Sequence, residues 1–379
     1  MITLESARHH LIEHGLLGDQ AGSFGSPDEL MLISAGPASY LSEFSLLCGP
    51  TTTRVIVRQP SRDDLPSAGK HSPLSGETRI EEGIQFRFQR EIWNGKAWEE
   101  DRSISDFSLA GGLRELCHAG EVSFPSSSTN ETPFKNPFWA GALSYDLLQM
   151  TQPIRLQNLP EKDDLLCVLW EVNRCIVHLK NEDRLVVMST DSEWKVKSER
   201  CLEDEPVHSF SPELTYGKKP VSNCTDEEHE KIVKTVQESI VDGQLYQLNY
   251  GRSWEGEITT EPWHVFSHSV ASNPAPYSGF LHMEDEGFAL VSASPESLLS
   301  TEGGVITTAP IKGTAPRGAS EAEELLLRED MISDQKERAE HRMLVDLMRN
   351  DVGQIAHPNQ VWVERFDVEA YAEVQHLVS

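Results

Sequence analysis

Short strand-forming runs joined by tight turns constrain the fold of this chain more than any other feature of its sequence. Residues 278–283 and 288–293 flank the polar turn 284–287, and two further runs meet at the pair Gly303-Gly304. Runs of this kind, separated by a few residues that include glycine, are typical of β-hairpins. This part of the chain therefore predicts antiparallel rather than parallel pairing of its strands.

Helical patterns surround these hairpins. A capping box, Thr225-Asp-Glu-Glu228, opens a helix that Gly243 ends. A strand is predicted next, at 244–254, and two more helices are predicted at 321–328 and 333–350. Hairpins followed by a pair of helices predict an α+β fold with antiparallel sheets, and not a doubly wound parallel sheet.

The chain falls into three regions. Residues 1–198 are rich in predicted strands, and residues 225–379 mix strands and helices. Residues 199–224, between them, are acidic, contain scattered prolines and show no periodic pattern of hydrophobic residues. The middle region is the predicted linker. Three runs in the first region indicate a meander: 166–170, 175–179 and 185–188. Either two domains meet at the linker, or one large core spans both halves.

The charge balance restricts the partners of the protein. The 33 basic and 61 acidic residues give a net charge of -28, which repels the phosphates of nucleic acids and anionic lipids. We therefore expect no nucleic-acid partner and no membrane partner. The six cysteines are scattered, and the chain has no leader pattern and no apolar run near the roughly 20 residues of a membrane span. These features predict reduced thiols in a cytoplasmic protein.

Two carboxylates stand out on the predicted helix 333–350. At about 100° per residue, Glu340 falls inside an apolar arc, and Glu337 and His341 lie at its edge. The arc consists of Ala339, Met343, Leu344, Leu347 and Met348. A carboxylate directed at a core is costly unless it is paired or binds a metal. Glu340 therefore forms either a buried salt bridge to an arginine or part of an oxygen-ligand site for Mg²⁺.

Three further segments carry polar groups beside predicted strands. Lys312 follows a strand, where it is either a solvated cation or a ligand-binding or nucleophilic amine, and Gly313 permits close approach of the backbone. Glu296 is either the first-turn acid of a helix or a general acid. Gln247 lies on the predicted strand 244–254 and by itself indicates no function.

Taken together, five segments resemble the chorismate-utilising enzymes, which comprise component I of the anthranilate and aminodeoxychorismate synthases and the isochorismate and salicylate synthases. The segments are Gly243-Gln-Leu-Tyr-Gln247-Leu-Asn, Ala293-Ser-Pro-Glu296, Pro310-Ile-Lys312-Gly-Thr314-Ala-Pro-Arg317, Lys336-Glu-Arg-Ala-Glu340-His-Arg-Met-Leu-Val-Asp-Leu-Met-Arg-Asn350-Asp and Val374-Gln-His376-Leu-Val-Ser379. The last two are the most specific. The resemblance is continuous from about Thr225 to the end, and weaker before it.

The resemblance implies a layered α/β sandwich in which two large antiparallel sheets pack together and helices lie outside. In the first half, the segment from Leu32-Ile-Ser34 to Phe44 resembles the N-terminal tryptophan-pocket strand of anthranilate synthase component I, which implies that Ser34 lines such a pocket. The segment 136–146 resembles the family's glycine-rich Tyr-Asp segment and is a few residues shorter.

The resemblance also implies the parts of a catalytic site. Glu340, with Glu337, would bind Mg²⁺, which holds the ring carboxylate of chorismate. Glu296 would protonate the departing 4-hydroxyl group. The substrate site would be lined by Gln247, the Gly313 backbone, Thr314 and His376.

Two positions discriminate among the activities of the family. Gln247 stands where the water-using members carry a lysine, so isochorismate and salicylate formation are not expected. Lys312 stands where the aminodeoxychorismate enzymes carry a lysine and the anthranilate enzymes usually carry a small residue. There the amine would attack C2, expel the 4-hydroxyl group and be displaced as ammonia adds at C4. The resemblance thus favours aminodeoxychorismate synthase component I, which makes the precursor of 4-aminobenzoate for folate, with anthranilate synthase component I as the alternative.

The resemblance implies a partner as well, namely a glutaminase (glutamine amidotransferase) subunit that delivers ammonia. The family continues beyond the strand that ends at Ser379 into a segment with a second Mg²⁺ glutamate, basic groups for the substrate carboxylates and a Gly-Ala-Pro-Lys turn. We therefore expect this sequence to be either a fragment or split product of an enzyme, or a non-catalytic paralogue that binds a glutaminase subunit.

Overall fold

A computed structural model describes residues 3–35, 44–61, 85–117, 136–151, 160–203, 214–245, 248–371 and 373–379. The strands are β1 (Glu29–Ile33), β2 (Phe44–Cys48), β3 (Thr53–Arg58), β4 (Phe86–Trp93), β5 (Trp98–Asp106), β6 (Phe138–Leu143), β7 (Leu165–Val172), β8 (Arg174–Leu179), β9 (Arg184–Ser189), β10 (Tyr216–Ser222), β11 (Trp254–Ile258), β12 (Tyr277–Met283), β13 (Phe288–Ser294), β14 (Ser297–Glu302), β15 (Val305–Ala309), β16 (Ile311–Pro316), β17 (Asp367–Ala370) and β18 (Val374–Val378). The helices are α1 (Leu4–Glu13), α2 (Leu109–Cys117), α3 (Leu148–Thr151), α4 (Ser192–Cys201), α5 (Asp226–Val241), α6 (Pro262–Ser272), α7 (Glu321–Ser333) and α8 (Gln335–Gly353).

Two large antiparallel sheets form the body of the described structure. One has six strands in the order β13-β12-β1-β2-β8-β9, and the other has five in the order β5-β4-β3-β7-β6. All neighbouring strands in both sheets are antiparallel. The expected α+β fold with two large antiparallel sheets is therefore confirmed. Strands from both sides of the predicted linker share the six-stranded sheet, and the division into domains stays a prediction.

The two sheets face each other across a shared apolar layer. Its buried members are Leu30, Leu46, Cys48, Ile56, Val168, Trp170, Val172, Cys175, Val177, Leu281 and Met283. On β3, Ile56 points into this layer while Val55 and Val57 are buried on the other face of the same sheet. A continuous β-branched run such as this one is what a strand covered on both faces requires.

Helices cover the outer faces of both sheets. Helices α1, α4 and α6 pack on the six-stranded sheet through a cluster that includes Leu11, Trp194 and Phe266. Helix α2 packs on the five-stranded sheet, where a β-carbon at Gly112 would lie only 2.5 Å from the ring of Phe88. The three largest clusters of buried apolar side chains lie in these layers, which therefore form the main core of the described structure. None of the helices in the described ranges has an apolar stretch long enough to cross a bilayer.

A third, smaller sheet carries the candidate site. Its strand order is β16-β18-β17, and α7 and α8 pack against it. Met331, Val368 and Leu377 form its small buried cluster. The strand pairs β10–β11 and β14–β15 form two separate two-stranded sheets.

Most local predictions are confirmed, and two are wrong. Thr225 accepts from the backbone of Glu228 and the Glu228 side chain accepts from Thr225, so the capping box forms. Both predicted hairpins form. The predicted strand 244–254 is wrong for the residues that the structure describes there, because β11 only begins at Trp254. The predicted meander is also wrong in part, because β7 and β8 lie in different sheets and only β8 and β9 pair.

Candidate active site

A β-bulge at Gly313 shapes the candidate site. On β16 and β18, Lys312 lies opposite Leu377 and Thr314 lies opposite His376, so Gly313 is the extra residue. Its φ of +73° is in the left-handed region, which glycine adopts without strain. A β-carbon at this position would lie 2.9 Å from Glu337 Oε2. Glycine thus permits both the bulge and the close approach of a carboxylate from α8.

Helix α8 presents two carboxylates to this bulge, one turn apart. Asp334 begins the helix by accepting hydrogen bonds from the backbone of Lys336 and Glu337. Glu340 Oε2 lies 3.9 Å from Lys312 Nζ, and Glu340 Oε1 lies 3.7 Å from Lys336 Nζ. Glu337 Oε1 lies 3.9 Å from the same Lys336 amine. The two glutamates and two lysines form one group of alternating charge, which we name the charge quartet.

The predicted burial of Glu340 is wrong. Its side chain is 39% exposed and that of Glu337 is 29% exposed. The apolar arc of α8 is only partly covered, since Leu347 on the same arc remains 51% exposed. The residue of this helix that is fully buried is His341. The arginine salt bridge is not what the structure shows either, since the ion-pair partners of Glu340 among the described residues are both lysines.

Glu337 and Glu340 could supply some of the oxygen ligands of a magnesium ion. Within the described ranges no group of three or more metal-binding side chains comes together. Mg²⁺ nevertheless binds through one or two carboxylates and completes its coordination with water and substrate oxygens. Glu337 and Glu340 match that requirement in type and number. The residues present are thus compatible with a metal that is shared with an anionic ligand.

His376 lies on the central strand of the small sheet, beside the bulge. Its Nδ1 is 3.0 Å from the Gly313 carbonyl oxygen and 3.2 Å from Thr314 Oγ1. A carbonyl oxygen can only accept a hydrogen bond, so Nδ1 carries a proton in this arrangement. In the neutral imidazole ring, Nε2 is then the atom with a free lone pair and acts as an acceptor.

Glu296 lies in the link between two strands and is bonded to β16. Its Oε1 accepts a hydrogen bond of 3.0 Å from the backbone of Ile311, the residue before Lys312. The interpretation of Glu296 as the first-turn acid of a helix is wrong, because strand β14 begins at the next residue. Glu296 is exposed, so it can exchange protons with water. It is therefore placed at the same edge of the small sheet as the charge quartet.

The structure brings together all but two of the predicted site residues. Those that meet around the bulge are Glu296, Lys312, Gly313, Thr314, Glu337, Glu340 and His376. Gln247 lies outside the described residues. Ser34 is buried after β1 in the six-stranded sheet, where its backbone donates to Ser45 Oγ at 2.9 Å. A tryptophan pocket at Ser34 stays a prediction.

Two residues beside the site had no functional prediction from the sequence. His341 follows Glu340 on α8, with Nε2 2.7 Å from Ser379 Oγ, and burial lowers its pKa. Its place at the edge of the apolar arc was the signal for its burial. Tyr371 packs against the ring of His376 with 5.1 Å between ring centroids. No sequence pattern indicates that contact, because the turn between β17 and β18 creates it.

Comparisons with known proteins identify the family. An alignment 352 residues long is 42% identical to anthranilate synthase component 1 of Aquifex aeolicus and covers 81% of this chain and 70% of that protein. Another alignment, over 259 residues, is 36% identical to anthranilate synthase component 1 of Thermus thermophilus and covers 64% of this chain. This chain spans about half the length of the Thermus protein, 54%.

A solved structure shows the same fold. Anthranilate synthase component I from Streptococcus pneumoniae superposes with a TM-score of 0.59 at 23% identity, covering 90% of this chain and 69% of that one. The family model described as chorismate binding enzyme matches residues 78–379, which is most of the sequence. The resemblance inferred from the five sequence segments is confirmed at this level. The chain belongs to the chorismate binding enzyme family.

Proposed function

We propose that this chain binds chorismate at the charge quartet and takes part in its amination to anthranilate and pyruvate, as anthranilate synthase component I does. The observation that carries the proposal is that both curated relatives described above are component 1 of anthranilate synthase, one of them over most of this chain. This replaces aminodeoxychorismate formation, which the sequence favoured through Lys312, as the leading proposal.

The local charges support an anionic substrate on an acidic protein. Chorismate carries two carboxylates, and the net charge of -28 opposes its approach. Lys312 and Lys336 supply positive charge beside the bulge. Mg²⁺ held by Glu337 and Glu340 would add the charge that neutralises a substrate carboxylate.

Other groups around the bulge bind the substrate or transfer protons in this proposal. The Thr314 hydroxyl and the His376 ring line the substrate site. Glu296 accepts a hydrogen bond from the backbone of Ile311, next to Lys312, and would act as the general acid for the hydroxyl group that leaves C4. The ammonia comes from a glutaminase subunit, which is consistent with relatives that are named as one component of a larger enzyme.

Formation of 4-amino-4-deoxychorismate is the second candidate, and Lys312 is the residue that favours it. A lysine acts as a nucleophile only when its amine is uncharged. In the structure, Lys312 Nζ instead forms an ion pair with Glu340 Oε2 and is 36% exposed. That arrangement supports a cation that binds a substrate carboxylate, so we place the nucleophilic role second.

Product analysis tests the proposal directly. The protein is incubated with chorismate, Mg²⁺ and an ammonium salt, and anthranilate fluorescence and pyruvate release are followed. Equal amounts of anthranilate and pyruvate support the leading proposal. An aminated product without pyruvate supports the second candidate. Magnesium-dependent binding of chorismate in calorimetry without any product supports a non-catalytic paralogue, and the absence of both binding and product refutes all three.

Variants of Lys312 separate the two chemical roles. Lys312→Arg keeps the positive charge but removes the nucleophilic amine, whereas Lys312→Ala removes both. If Lys312 binds a carboxylate, Lys312→Arg retains most of the activity and Lys312→Ala raises KM by roughly tenfold or more, the loss of one charge-assisted hydrogen bond. If Lys312 is a nucleophile, both variants lose kcat by orders of magnitude. Lys234→Ala, on the exposed surface of α5, is the matched control.

A further inference from the structure

We propose that the ring of Tyr371, anchored by Glu369, is a positioning group that holds the ring of His376 in one orientation and one tautomer, with Nδ1 protonated and Nε2 free to accept a proton. Nothing in the family resemblance assigned a role to either residue. The inference deepens the proposed function and rests on it only for the catalytic consequence.

Tyr371 is fixed in the turn that connects β17 and β18. Its backbone donates a 2.7 Å hydrogen bond to the carbonyl of Val374, and its own carbonyl accepts from the guanidinium of Arg317. Tyr371 as a whole residue is 7% exposed. The ring meets the His376 ring at 66° with 5.1 Å between centroids, an edge-to-face contact. The phenol ring is thus held firmly against one side of the imidazole.

Glu369 anchors the other end of the tyrosine. The Tyr371 hydroxyl donates to Glu369 Oε2 at 3.1 Å, and Glu369 Oε1 is paired with Arg365. Glu369 also lies directly opposite His376 in the pairing of β17 with β18. Burial, and then the charge of Glu369, raise the pKa of Tyr371, so its hydroxyl stays protonated and remains a donor.

The opposite side of His376 is held by β16. Nδ1 lies 3.0 Å from the Gly313 carbonyl oxygen, and Thr314 lies opposite His376 in the pairing of β16 with β18. The χ2 torsion of histidine has a broad, roughly two-fold energy profile, so a single hydrogen bond leaves the ring free to rock. The aromatic contact from Tyr371 removes that freedom. Together, the bulge and the tyrosine select the tautomer in which Nε2 is the acceptor.

Nitrogen NMR of histidine tests the tautomer without any need for turnover. Protein labelled with ¹⁵N-histidine is studied roughly two units above the ordinary histidine pKa of about 6.5, and His376→Gln assigns the signal. We expect His376 in the Nδ1–H tautomer in the native protein and in Tyr371→Phe, which keeps the ring. Tyr371→Leu should show both tautomers in exchange. A native His376 in the Nε2–H tautomer, or a Tyr371→Leu spectrum identical to the native one, overturns the proposal.

Controls separate positioning from folding. Phe24→Leu truncates a comparably buried aromatic ring in the layer of outer helices, so it costs stability without touching β18. It should leave the His376 signal unchanged. Glu369→Gln keeps an acceptor for the tyrosine hydroxyl and should resemble the native protein. If Phe24→Leu alters the tautomer as much as Tyr371→Leu does, the effect is general loosening and the proposal is wrong.

Kinetics add the catalytic consequence once turnover is established. Tyr371→Leu should lower kcat at least tenfold with KM for chorismate changed less than threefold, and Tyr371→Phe should restore most of kcat. Equal losses in both variants would contradict a role for the ring. If the protein turns over no chorismate, the proposed function fails while the NMR experiment still decides the positioning role.

Discussion

At the scale of single residues, the candidate site is an arrangement of opposite charges around one glycine. Each carboxylate of the quartet faces at least one lysine amine within 4 Å. All four side chains are partly exposed, so these ion pairs add little to stability. Their exposure instead leaves them able to exchange partners with a metal and an anionic ligand. Charge and not burial is therefore the property of the site that substitutions should test.

Glu340→Gln removes one candidate magnesium ligand while keeping the size of the side chain. We expect the affinity for Mg²⁺, measured by calorimetry in the presence of chorismate, to fall by at least about tenfold, because a neutral amide replaces an anionic oxygen ligand. Glu329→Gln, at an exposed position of α7, is the matched control and should leave the affinity unchanged. Unaltered magnesium binding in Glu340→Gln would remove the carboxylate pair from the proposal.

Gly313→Ala tests the bulge. The added β-carbon meets Glu337 Oε2 at 2.9 Å, and alanine at a φ of +73° is strained. We expect a loss of about 1–3 kcal/mol in the free energy of unfolding together with weaker magnesium binding. Gly353→Ala is the control and should raise the free energy of unfolding, because open space surrounds Gly353 in α8 and alanine favours a helix. If urea unfolding shows the same stability for Gly313→Ala as for the native protein, the bulge does not require glycine at this position.

At the scale of elements, one buried arginine ties the two large sheets together. Arg54 on β3 is 1% exposed and donates to Glu91 on β4 at 2.6 Å. It also forms two hydrogen bonds with Asp285 in the turn between β12 and β13, which belongs to the other sheet. Asp28, just before β1, lies 3.4 Å away. The guanidinium thus connects four segments, and the ring of Trp98 lies against its face.

Arg54→Met leaves buried carboxylates without their cation. Breaking a buried ion pair by removing one partner costs about 3–5 kcal/mol, and we expect a loss of that size in the free energy of unfolding. Arg87→Met is the control, because Arg87 pairs with Glu100 on the exposed face of the five-stranded sheet and its removal should change stability little. Similar urea midpoints for the two variants would contradict the role of Arg54 as the link between the sheets.

At the scale of the whole molecule, the same cluster makes stability depend on pH. Burial raises the pKa of Asp28 to about 6, even though Arg54 and the indole of Trp170 favour its ionised form. The folded protein therefore binds this proton more tightly than the unfolded chain. In the unfolded chain the pKa of this aspartate is near 4. As the pH falls from above 6 towards 4, protonation of Asp28 therefore increases the free energy of unfolding, by up to about 3 kcal/mol.

Asp28→Asn removes that titration and keeps an acceptor for Trp170 Nε1, which donates to Asp28 Oδ2 at 2.9 Å in the native protein. As the pH rises from 4 to 8, the native protein loses the stabilisation that protonated Asp28 provides, whereas the variant does not. The unfolding free energy of the variant should therefore rise relative to that of the native protein. Urea unfolding across this range measures it, because all other titrating groups cancel in the difference. Asp242→Asn, at an exposed helix end, should show a much flatter difference. An equally flat difference for Asp28→Asn would mean that its carboxyl titrates normally.

Much of the local structure followed from short sequence patterns. The capping box at Thr225 and the hairpin turn at Gly303-Gly304 form as predicted, since hydrogen bonds between near neighbours and positive φ angles at glycine decide them. The family likewise followed from five short segments. These features depend on residue identities within a few positions of each other, which the sequence displays directly.

The tertiary structure alone decided which distant groups meet. One residue, Asn173, separates β7 from β8, yet the two strands enter different sheets. Glu340 meets lysines and not an arginine, and it stays partly exposed because the small sheet covers only part of α8. Tyr371 reaches His376 only through the turn between β17 and β18. Such contacts depend on the packing of whole sheets and helices, which no periodicity along the chain encodes.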